Sequence, residues 1–321
     1  MAQNTDLNNG RTLVLGSSGF IGRNLYEYLL DNGHDVVGHQ YSSNYSDMIN
    51  CDLTDFNLTK MLIKGNDYVF MMAAKTFGLG VLTVKPEALV RENIVMNANV
   101  LQACYECGVK KVLLMSSSVV YQDNHKCLKE EDLDLNQQPY HLYQGVGWVK
   151  RYTEQLARFY SDLGMSVITV RPTNVYGKYD KLDETKSHFI PAIIKKCLNA
   201  NGKLTVWGSG TNVKDYIYVD DFVQDIVELF TKYDSCEPLN MCSGELKSIR
   251  EVVRTVADLC GFKGYTVYDK SKPETVAIKH ISNEKINKII SRVKYTDFNQ
   301  GLSRTIEWVK NEIASNSKHK A

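Results

Sequence analysis

Several features that identify common classes of protein are missing from this sequence. Its 38 basic and 37 acidic residues leave a formal net charge of +1, and neither sign forms a long run. A nucleic-acid-binding surface is therefore not expected. The longest apolar run is far shorter than the roughly 20 residues that a membrane-spanning helix needs. Internal repeats and low-complexity segments are also missing, which favours a globular chain of one large or two fused domains.

The cysteines do not follow the pattern of a disulfide framework or a metal site. The polar start of the chain, MAQNTDLNNGR, lacks the apolar stretch of a signal peptide. We therefore expect the eight irregularly spaced cysteines to be reduced and the localisation to be cytoplasmic. The one C-x-x-C, from Cys104 to Cys107, falls within a helical pattern and has no second pair. We interpret it as packing and predict no metal site.

Over its first two-thirds the chain alternates short β-branched runs with amphipathic helical stretches. This alternation is typical of a doubly wound α/β fold, a parallel sheet with helices on both faces. The predicted strands are 11–15, 34–38, 67–71, 110–115 and 166–171, and the predicted helices between them are 20–32, 86–107 and 147–163. After residue 172 the strands become shorter, and helices are predicted at 222–232, 247–260 and 298–314. This second part is predicted to be a smaller α+β lobe.

The strongest local signal is the run GSSGFIG at 16–22, which lies between a predicted strand and a predicted helix. Gly16 permits a tight turn, Gly19 lets the backbone approach a pyrophosphate, and Gly22 lets the helix pack against the strand. The N-terminal amides of the helix then face the anion. A Rossmann-type NAD(P)-binding domain is therefore predicted over residues 1–172. The cofactor-binding residues expected in its loop are Gly16, Ser18, Gly19, Phe20, Ile21 and Gly22.

The choice between NAD and NADP is left open by the residue that ends the second predicted strand, which is Gln40. An acidic residue there would accept a hydrogen bond from the ribose of NAD and would repel the 2′-phosphate of NADP. Glutamine does neither strongly, and no arginine lies nearby in the sequence. Asp52 and Leu53, in the run CDLTD, are candidates for contact with the adenine, with a simple polar turn as the alternative.

Five more motifs follow in order along the chain. They are MAAKTFG (72–78), MSSSVVY (115–121), RPTNVYG (171–177), WGSGTNVKDYIYVDD (207–221) and NMCSGELKSI (240–249). With GSSGFIG they make the chain resemble the extended short-chain dehydrogenase/reductases that modify nucleotide sugars, from about residue 11 to 312. Within that superfamily, AAK at 73–75, PTNVYG and SHFIPA at 187–192 look most like the GDP-fucose synthases, which combine a 3,5-epimerase with a 4-ketoreductase.

The resemblance implies a role for each matching residue. Ser117 would polarise the C4 oxygen of the sugar, a tyrosine would transfer the proton, and a lysine would hold the nicotinamide ribose and lower the pKa of the tyrosine. His188 matches the histidine of the epimerisation pair, but Val119 occupies the position of its cysteine and cannot abstract a proton. Further implied cofactor contacts are Ala73, Ala74, Lys75, Lys150 and Pro172. Implied substrate contacts are Asn174, His188, Trp207 and Lys214, with Lys214 where the family usually has an arginine.

The tyrosine and lysine of this site depart from the usual spacing of four residues. Counted back from the end of the helix, Lys150 would pair with Val146; counted forward from Pro139, Tyr143 would pair with Gly147. Tyr143 and Lys150 are the candidates, and a continuous helix would place them roughly 10 Å apart. The two glycines of QGVG permit a non-helical backbone that would bring them closer. A stretched but working site and an impaired relay therefore both remain open.

The sequence thus predicts an NAD(P)-dependent enzyme that acts at C4 of a GDP-linked deoxysugar, with a nucleotide-sugar-binding lobe at 173–321. The alternatives are a nucleotide-sugar 4-epimerase or dehydratase, or an impaired homologue that only binds sugar nucleotides. A homodimer is also predicted, since the resembled family pairs the helices 86–107 and 147–163 across a twofold axis. These two helices contain more apolar residues than one buried face requires. The additional ones are predicted to include Val95, Val100, Leu101, Trp148 and Phe159.

Overall fold

The secondary structure is given by a computed structural model that describes residues 5–124, 126–183 and 186–318. The strands are β1 (Thr12–Leu15), β2 (Val36–Gln40), β3 (Met48–Asn50), β4 (Tyr68–Met71), β5 (Lys111–Met115), β6 (Ser166–Pro172), β7 (Asn174–Tyr176), β8 (Lys203–Trp207), β9 (Val213–Tyr218), β10 (Leu239–Met241), β11 (Leu246–Ser248), β12 (Tyr265–Asp269) and β13 (Ile278–Lys279). The helices are α1 (Phe20–Asp31), α2 (Phe56–Ile63), α3 (Leu79–Leu82), α4 (Arg91–Glu106), α5 (Gln144–Asp162), α6 (Phe189–Asn199), α7 (Val219–Lys232), α8 (Ile249–Cys260) and α9 (Phe298–Lys318).

The central sheet has seven strands in the order β10-β6-β5-β4-β1-β2-β3. All of its pairings are parallel. The strand order reverses beside β1, with β2 and β3 on one side and β4 to β6 on the other. Ligands bind at such a reversal, next to the carboxyl ends of the strands. The predicted doubly wound sheet is therefore confirmed.

Both faces of this sheet are buried, because successive side chains of a strand point to opposite faces. In β1, Val14 belongs to one hydrophobic core, and Leu13 and Leu15 belong to the other. The first core is closed by α1 and α7, and the second by α2, α4 and α5. Val100 and Leu101 of α4 are completely buried in the second core. The prediction that these two side chains exceed the needs of the buried face was therefore wrong.

The second part of the chain contributes two small sheets. β9 lies at the centre of one, where it pairs with β7 and β13 in parallel and with β11 antiparallel. β8 and β12 form the other, a parallel pair. β10 instead returns to the central sheet and pairs with β6, Leu239 lying opposite Val170. The chain therefore crosses between the two parts after α7.

The helices begin and end where short-range signals predict. At α8, Ser248 and Glu251 form a reciprocal capping box, and Gly261 ends the helix in the left-handed conformation with a φ of +70°. No helix within the described ranges is long and apolar enough to cross a membrane. The same residues contain no cluster of three or more His, Cys, Asp or Glu side chains that could hold a metal ion.

Candidate active site

The glycine-rich loop between β1 and α1 is open to a ligand on one side only. Gly16 has a φ of +83°, and a Cβ there would lie 2.7 Å from the backbone of Ala73. A Cβ at Gly22 would overlap the carbonyl oxygen of Gly16. At Gly19 an added Cβ would meet only that oxygen, at 3.2 Å, so this side of the loop is free. Gly19 caps α1 without a side-chain hydrogen bond, which leaves the first amides of the helix available to an anion.

The remaining residues of the loop pack beneath it. Phe20 is buried in the first core, and Ile21 packs against that core. Ser18 is half-buried at the turn. The loop therefore presents backbone rather than bulky side chains to a pyrophosphate.

Gln40 is completely buried, and its side chain holds the loop that follows β2. Its amide nitrogen donates to the carbonyl oxygens of Tyr45 and Met48, and its amide oxygen accepts from the backbone N–H of Tyr45. These hydrogen bonds occupy the side chain of Gln40. The residue that was expected to contact the ribose of the cofactor therefore fixes the loop after β2. No carboxylate replaces it at the end of β2.

His39 is a residue of this region that sequence reasoning missed. Its Nδ1 accepts from the N–H of Gly16 at 3.0 Å, so its Nε2–H donates to the carbonyl oxygen of Cys51, also at 3.0 Å. Burial lowers the pKa of His39, although the bond to Cys51 opposes this. A neutral imidazole therefore ties the glycine loop to the segment after β3. Nothing in the local sequence distinguishes this histidine from its neighbours.

The two candidates for adenine contact have structural roles in the same segment. The carboxylate of Asp52 accepts from the backbone and the hydroxyl of Thr54, which forms a turn. The side chain of Leu53 is buried in the second core. Their backbone is the part of this segment that lies near the carboxyl end of the sheet.

The AAK motif follows β4 directly and lies against the glycine loop. Ala73 lies where a side chain at Gly16 would have to be placed. Ala74 is exposed. The backbone N–H of Lys75 donates to Asn93, and its ammonium pairs with Glu92 at 2.7 Å. The charge of Lys75 is therefore already paired.

At the carboxyl end of β5, Ser117 caps a short turn, and its Oγ accepts from the N–H of Val119 at 3.3 Å. Lys150 approaches the same strand end from α5, and its Nζ donates to the carbonyl oxygen of Met115 at 2.6 Å. Burial lowers the pKa of Lys150 to about 8, although the charge of Glu154 opposes this shift. Ser117 and Lys150 thus meet at the end of β5.

The carboxylate of Glu154 does not fully neutralise the charge of Lys150, because it accepts hydrogen bonds from other groups. Arg171 donates to both of its oxygens, at 3.0 and 2.7 Å, and Ser116 donates to one of them. Arg171 also donates to the hydroxyl of Tyr121. This buried network leaves the ammonium of Lys150 as a charge directed at the strand end.

Tyr143 lies just before α5, and the whole of QGVG is helical. The non-helical backbone that the two glycines would permit is not found, because they serve close packing instead. A Cβ at Gly147 would lie 2.6 Å from the side chain of Pro139, and one at Gly145 would lie 3.1 Å from Val90. A regular helix rises about 1.5 Å per residue, so the register alone leaves Tyr143 and Lys150 about 10 Å apart along the axis.

The surroundings of Tyr143 come from both parts of the chain. Burial raises the pKa of its hydroxyl to about 12, although a hydrogen bond with Thr275 opposes this. The ammonium of Lys279 lies 5.6 Å from the centre of its ring. Tyr143, Tyr140 and Val119 line one cleft together with Lys279. The net shift of the pKa of Tyr143 is therefore upward, away from the tyrosinate that a proton relay uses.

Lys279 is a second residue that sequence reasoning missed, and it lies opposite Lys214 on the neighbouring strand of the small sheet. Burial lowers the pKa of Lys214 to about 8. Burial, and then repulsion from Lys214, lowers the pKa of Lys279 to about 7. Among the described residues, no carboxylate contributes to the pKa of either lysine. Two adjacent cations without a counterion are suited to an anion of two charges.

Two other expected residues lie at the junction of β6 and β9. Pro172 ends β6, and the Nδ2 of Asn174 donates to the carbonyl oxygen of Asp215 at 2.7 Å. Burial raises the pKa of Asp215 to about 6, although Ser243 and Gly244 donate to its carboxylate. Asn174 is therefore tied to the strand that carries Lys214.

His188 lies at the start of α6 and faces the glycine loop, with its ring centre 6.4 Å from that of Phe20. Its Nδ1 lies 2.9 and 3.0 Å from the two carboxylate oxygens of Asp180. Burial lowers the pKa of His188, but the charge and hydrogen bond of Asp180 outweigh it and raise the pKa overall.

Trp207 ends β8 and is 43% exposed. The ammonium groups of Lys196 and Lys272 lie 6.0 and 5.8 Å from its ring centre. An exposed ring flanked by cations is a surface on which a planar base can stack.

The structure thus gathers the expected residues in two groups. Ser117 and Lys150 lie at the end of the central sheet. Tyr143 and Lys214 lie on the side of the smaller lobe, where Lys279 joins them. The missing signal for Lys279 is cross-strand register, which a local sequence pattern does not contain.

Comparison with known proteins gives concordant matches. The model of the NAD dependent epimerase/dehydratase family matches residues 12–242. The chain is 30% identical over 324 residues to a GDP-L-fucose synthase of Sinorhizobium fredii, covering 97% of this chain and 98% of that one. It is 28% identical over 312 residues to a GDP-L-colitose synthase of Yersinia pseudotuberculosis, covering 94% and 98%. A GDP-L-fucose synthetase of Naegleria fowleri bound to NADP superimposes with a TM-score of 0.85 at 26% identity, covering 98% and 97%.

Proposed function

The chain belongs to the NAD dependent epimerase/dehydratase family, and on that premise we propose that it reduces the C4 carbonyl of a GDP-linked keto-deoxysugar with NADP or NAD. The resemblance inferred from the motifs is confirmed by the family match. The names of the relatives support a GDP-linked sugar, and the bound NADP of the Naegleria fowleri protein supports a nicotinamide cofactor.

The observation that carries the proposal is the pair formed by Lys214 and Lys279. Burial lowers the pKa of both lysines, and for Lys279 the charge of Lys214 on the adjacent strand lowers it further. A diphosphate would restore the full charge of both lysines and would be held by them in return. Trp207, flanked by two further lysines, offers the exposed ring for a base at the end of such a diphosphate.

The chemistry of a ketoreductase needs a hydride, a proton and a polarised carbonyl. When bound at the glycine loop, the reduced nicotinamide supplies the hydride. We assign Ser117 to hydrogen-bond the C4 oxygen and Tyr143 to deliver the proton to it. Lys150, directed at the end of β5 by its bond to Met115, is assigned to the nicotinamide ribose.

Val119 restricts the reaction to C4 in this proposal. It lines the cleft beside Tyr143, where the resembled family places the cysteine that exchanges a proton with the sugar. A valine has no ionisable group, so removal of a proton from carbon at this position has no base. Reduction of the ketone needs none, and it therefore fits the residues better than double epimerisation does.

The proposed assembly is a homodimer through α4 and α5. The outer faces of these helices expose a row of aromatic side chains, with Phe159 55% and Tyr152 48% exposed. Trp148 and Tyr105 extend the row. An isologous contact would bury this patch on both protomers at once.

The test is turnover of a GDP-linked 4-keto-6-deoxysugar. The protein is incubated with the substrate and NADPH or NADH deuterated at the transferred position, and the product is examined by NMR. Deuterium at C4, without proton exchange from solvent at C3 and C5, is the expected result. Val119→Cys should introduce exchange at one of those carbons. A product labelled elsewhere, or equal turnover of UDP-linked substrates, would contradict the proposal.

A second candidate function is a sugar-nucleotide-binding protein without turnover. The continuous helix from Gln144 and the raised pKa of Tyr143 favour it, because both separate the tyrosine from the lysine that would activate it. Thermal stabilisation by GDP-sugars, without hydride transfer to any keto-sugar, would identify this alternative.

A further inference from the structure

The loop between β7 and α6 contains an interaction to which the sequence assigned no function. Asp180 is only 1% exposed, and both of its carboxylate oxygens lie within 3.0 Å of Nδ1 of His188. One of these oxygens also accepts from the backbone N–H of Lys181 at 2.8 Å. The side chain of His188 is itself 47% exposed. The buried carboxylate of Asp180 therefore forms a hydrogen bond with Nδ1 of His188, while the ring of His188 reaches the surface of the cleft.

The backbone that delivers Asp180 is held in an unusual conformation. Tyr179 has a φ of +68°, the left-handed region that residues with a side chain seldom adopt. Its hydroxyl donates to Glu27 at 2.8 Å, and Lys178 pairs with the same carboxylate at 3.1 Å. α1 thus anchors the segment immediately before Asp180. Such strain is maintained only where surrounding contacts determine the conformation.

We propose that Asp180 is a positioning residue that fixes the ring of His188, so that Nδ1 carries a proton towards Asp180 and Nε2 faces the ligand. The proposal rests on the function proposed above, to which it adds the group that orients the histidine beside the glycine loop. A carboxylate that holds Nδ1–H selects the tautomer of a neutral imidazole and stabilises the imidazolium. Nε2 is then the nitrogen available to a bound ligand.

The charges around the ring agree with this role. Asp180 raises the pKa of His188, while burial and the charge of Lys181 oppose it. Lys181 itself is directed away, with its Nζ donating to Thr76 at 3.1 Å. From α1 the ring faces Phe20, which has no charge. In this orientation Nε2–H of the imidazolium donates a hydrogen bond to an oxygen of the bound ligand, while Nδ1–H stays on Asp180.

The test compares Asp180→Asn with Glu27→Gln in the full-length protein. The asparagine has the same shape and removes the charge that faces His188. The glutamine loosens the anchor of the same loop and leaves that charge in place. Histidines labelled with nitrogen-15 are titrated by NMR, and His188→Gln identifies the signal of His188 among the seven histidines. This readout needs no substrate.

We expect Asp180→Asn to lower the titration midpoint of His188 and to raise the fraction of neutral imidazole protonated at Nε2. Glu27→Gln should leave both unchanged. In turnover assays Asp180→Asn should lose about tenfold in kcat/KM between the new midpoint and that of wild type, since the hydrogen bond of a charged donor to the ligand contributes roughly this factor. The loss should appear mainly in KM.

An unchanged midpoint and tautomer in Asp180→Asn would overturn the proposal, as would an equal change in Glu27→Gln. Failure of the proposed function has a different signature. If the wild-type protein turns over no GDP-keto-sugar but Asp180→Asn still shifts the titration, the function is wrong and the orientation of His188 by Asp180 is supported.

Discussion

Replacement of Lys279 by methionine should stabilise the ligand-free protein and abolish its response to GDP. The two lysines of β9 and β13 lie in register, and the ammonium of Lys279 lies 5.6 Å from the ring centre of Tyr143. Methionine keeps nearly the same length and volume without the charge. The variant therefore removes the electrostatic cost and preserves the packing.

The magnitude follows from the pKa of Lys279. A lysine has an ordinary pKa of about 10.5, and in the folded protein this falls to about 7. At pH 7.5 the difference corresponds to a destabilisation of roughly 4 kcal/mol, because folding must release the proton or bury the charge. Partial exposure of the side chain reduces this value, and we expect about 2 to 3 kcal/mol. A chain of this size should then melt roughly 5 °C higher.

The sign of the pH dependence is also determined. Between about pH 7 and pH 10 the unfolded chain binds more protons at this site than the folded chain, so the free energy of unfolding rises with pH over that window. Lys279→Met should flatten this rise. Lys270→Met, at an exposed position of the same lobe, is the matched control and should leave both melting temperature and slope unchanged.

The assay is thermal unfolding between pH 6.5 and 9, with and without GDP, alongside calorimetric titration of GDP. Wild type should gain stability with GDP and should take up protons on binding in this pH range, because the diphosphate raises the pKa values of both lysines. A variant that melts lower than wild type, or that binds GDP with unchanged affinity, would refute the view of the two lysines as an uncompensated anion site.

Four further variants test other parts of the protein. Gly19→Val should abolish NAD(P) binding with the fold retained, as fluorescence titration and circular dichroism can check, because the added Cβ meets only the carbonyl oxygen of Gly16, at 3.2 Å, and the side chain would fill the free side of the loop. Tyr143→Phe should lose on the order of 100-fold or more in turnover with substrate affinity little changed. Val146→Tyr, which restores the four-residue spacing to Lys150, should give no gain, and an indifferent Tyr143→Phe with an activated Val146→Tyr would show that the relay has been lost. Phe159→Glu should convert the homodimer to a 36.4 kDa monomer in light scattering, and a wild-type protein that is already monomeric would contradict the proposed interface.

The elements of the fold were predictable because their signals are short-range. The alternation of buried residues in β1, the capping box of α8 and the glycines around α1 each depend on residues a few positions apart. The predicted strands and helices therefore lie within a few residues of the observed ones. The same reasoning placed the glycine-rich loop directly after β1, and the structure shows that β1 lies beside the reversal in strand order.

The glycines of α5 did not predict its conformation correctly, because helix propensity is only a weak local preference. Each glycine costs a helix interior about 1 kcal/mol relative to alanine, which favoured a broken helix at QGVG. Tertiary packing outweighs this, since Pro139 and Val90 approach Gly147 and Gly145 too closely for any side chain. The distance between Tyr143 and Lys150 was therefore decided by contacts outside the helix.

By itself the sequence determined a doubly wound sheet, a glycine-rich loop between the first strand and the first helix, and the family to which the chain belongs. Tertiary structure alone decided that Gln40 holds its own loop, that Asp180 grips His188 and that Lys279 lies opposite Lys214. The register of neighbouring strands or the path of a loop brings the two residues of each pair together. Residues far apart in the sequence become partners because their polar groups are buried in the same place. Burial also sets their protonation, because desolvation and neighbouring charges act through space and not along the chain.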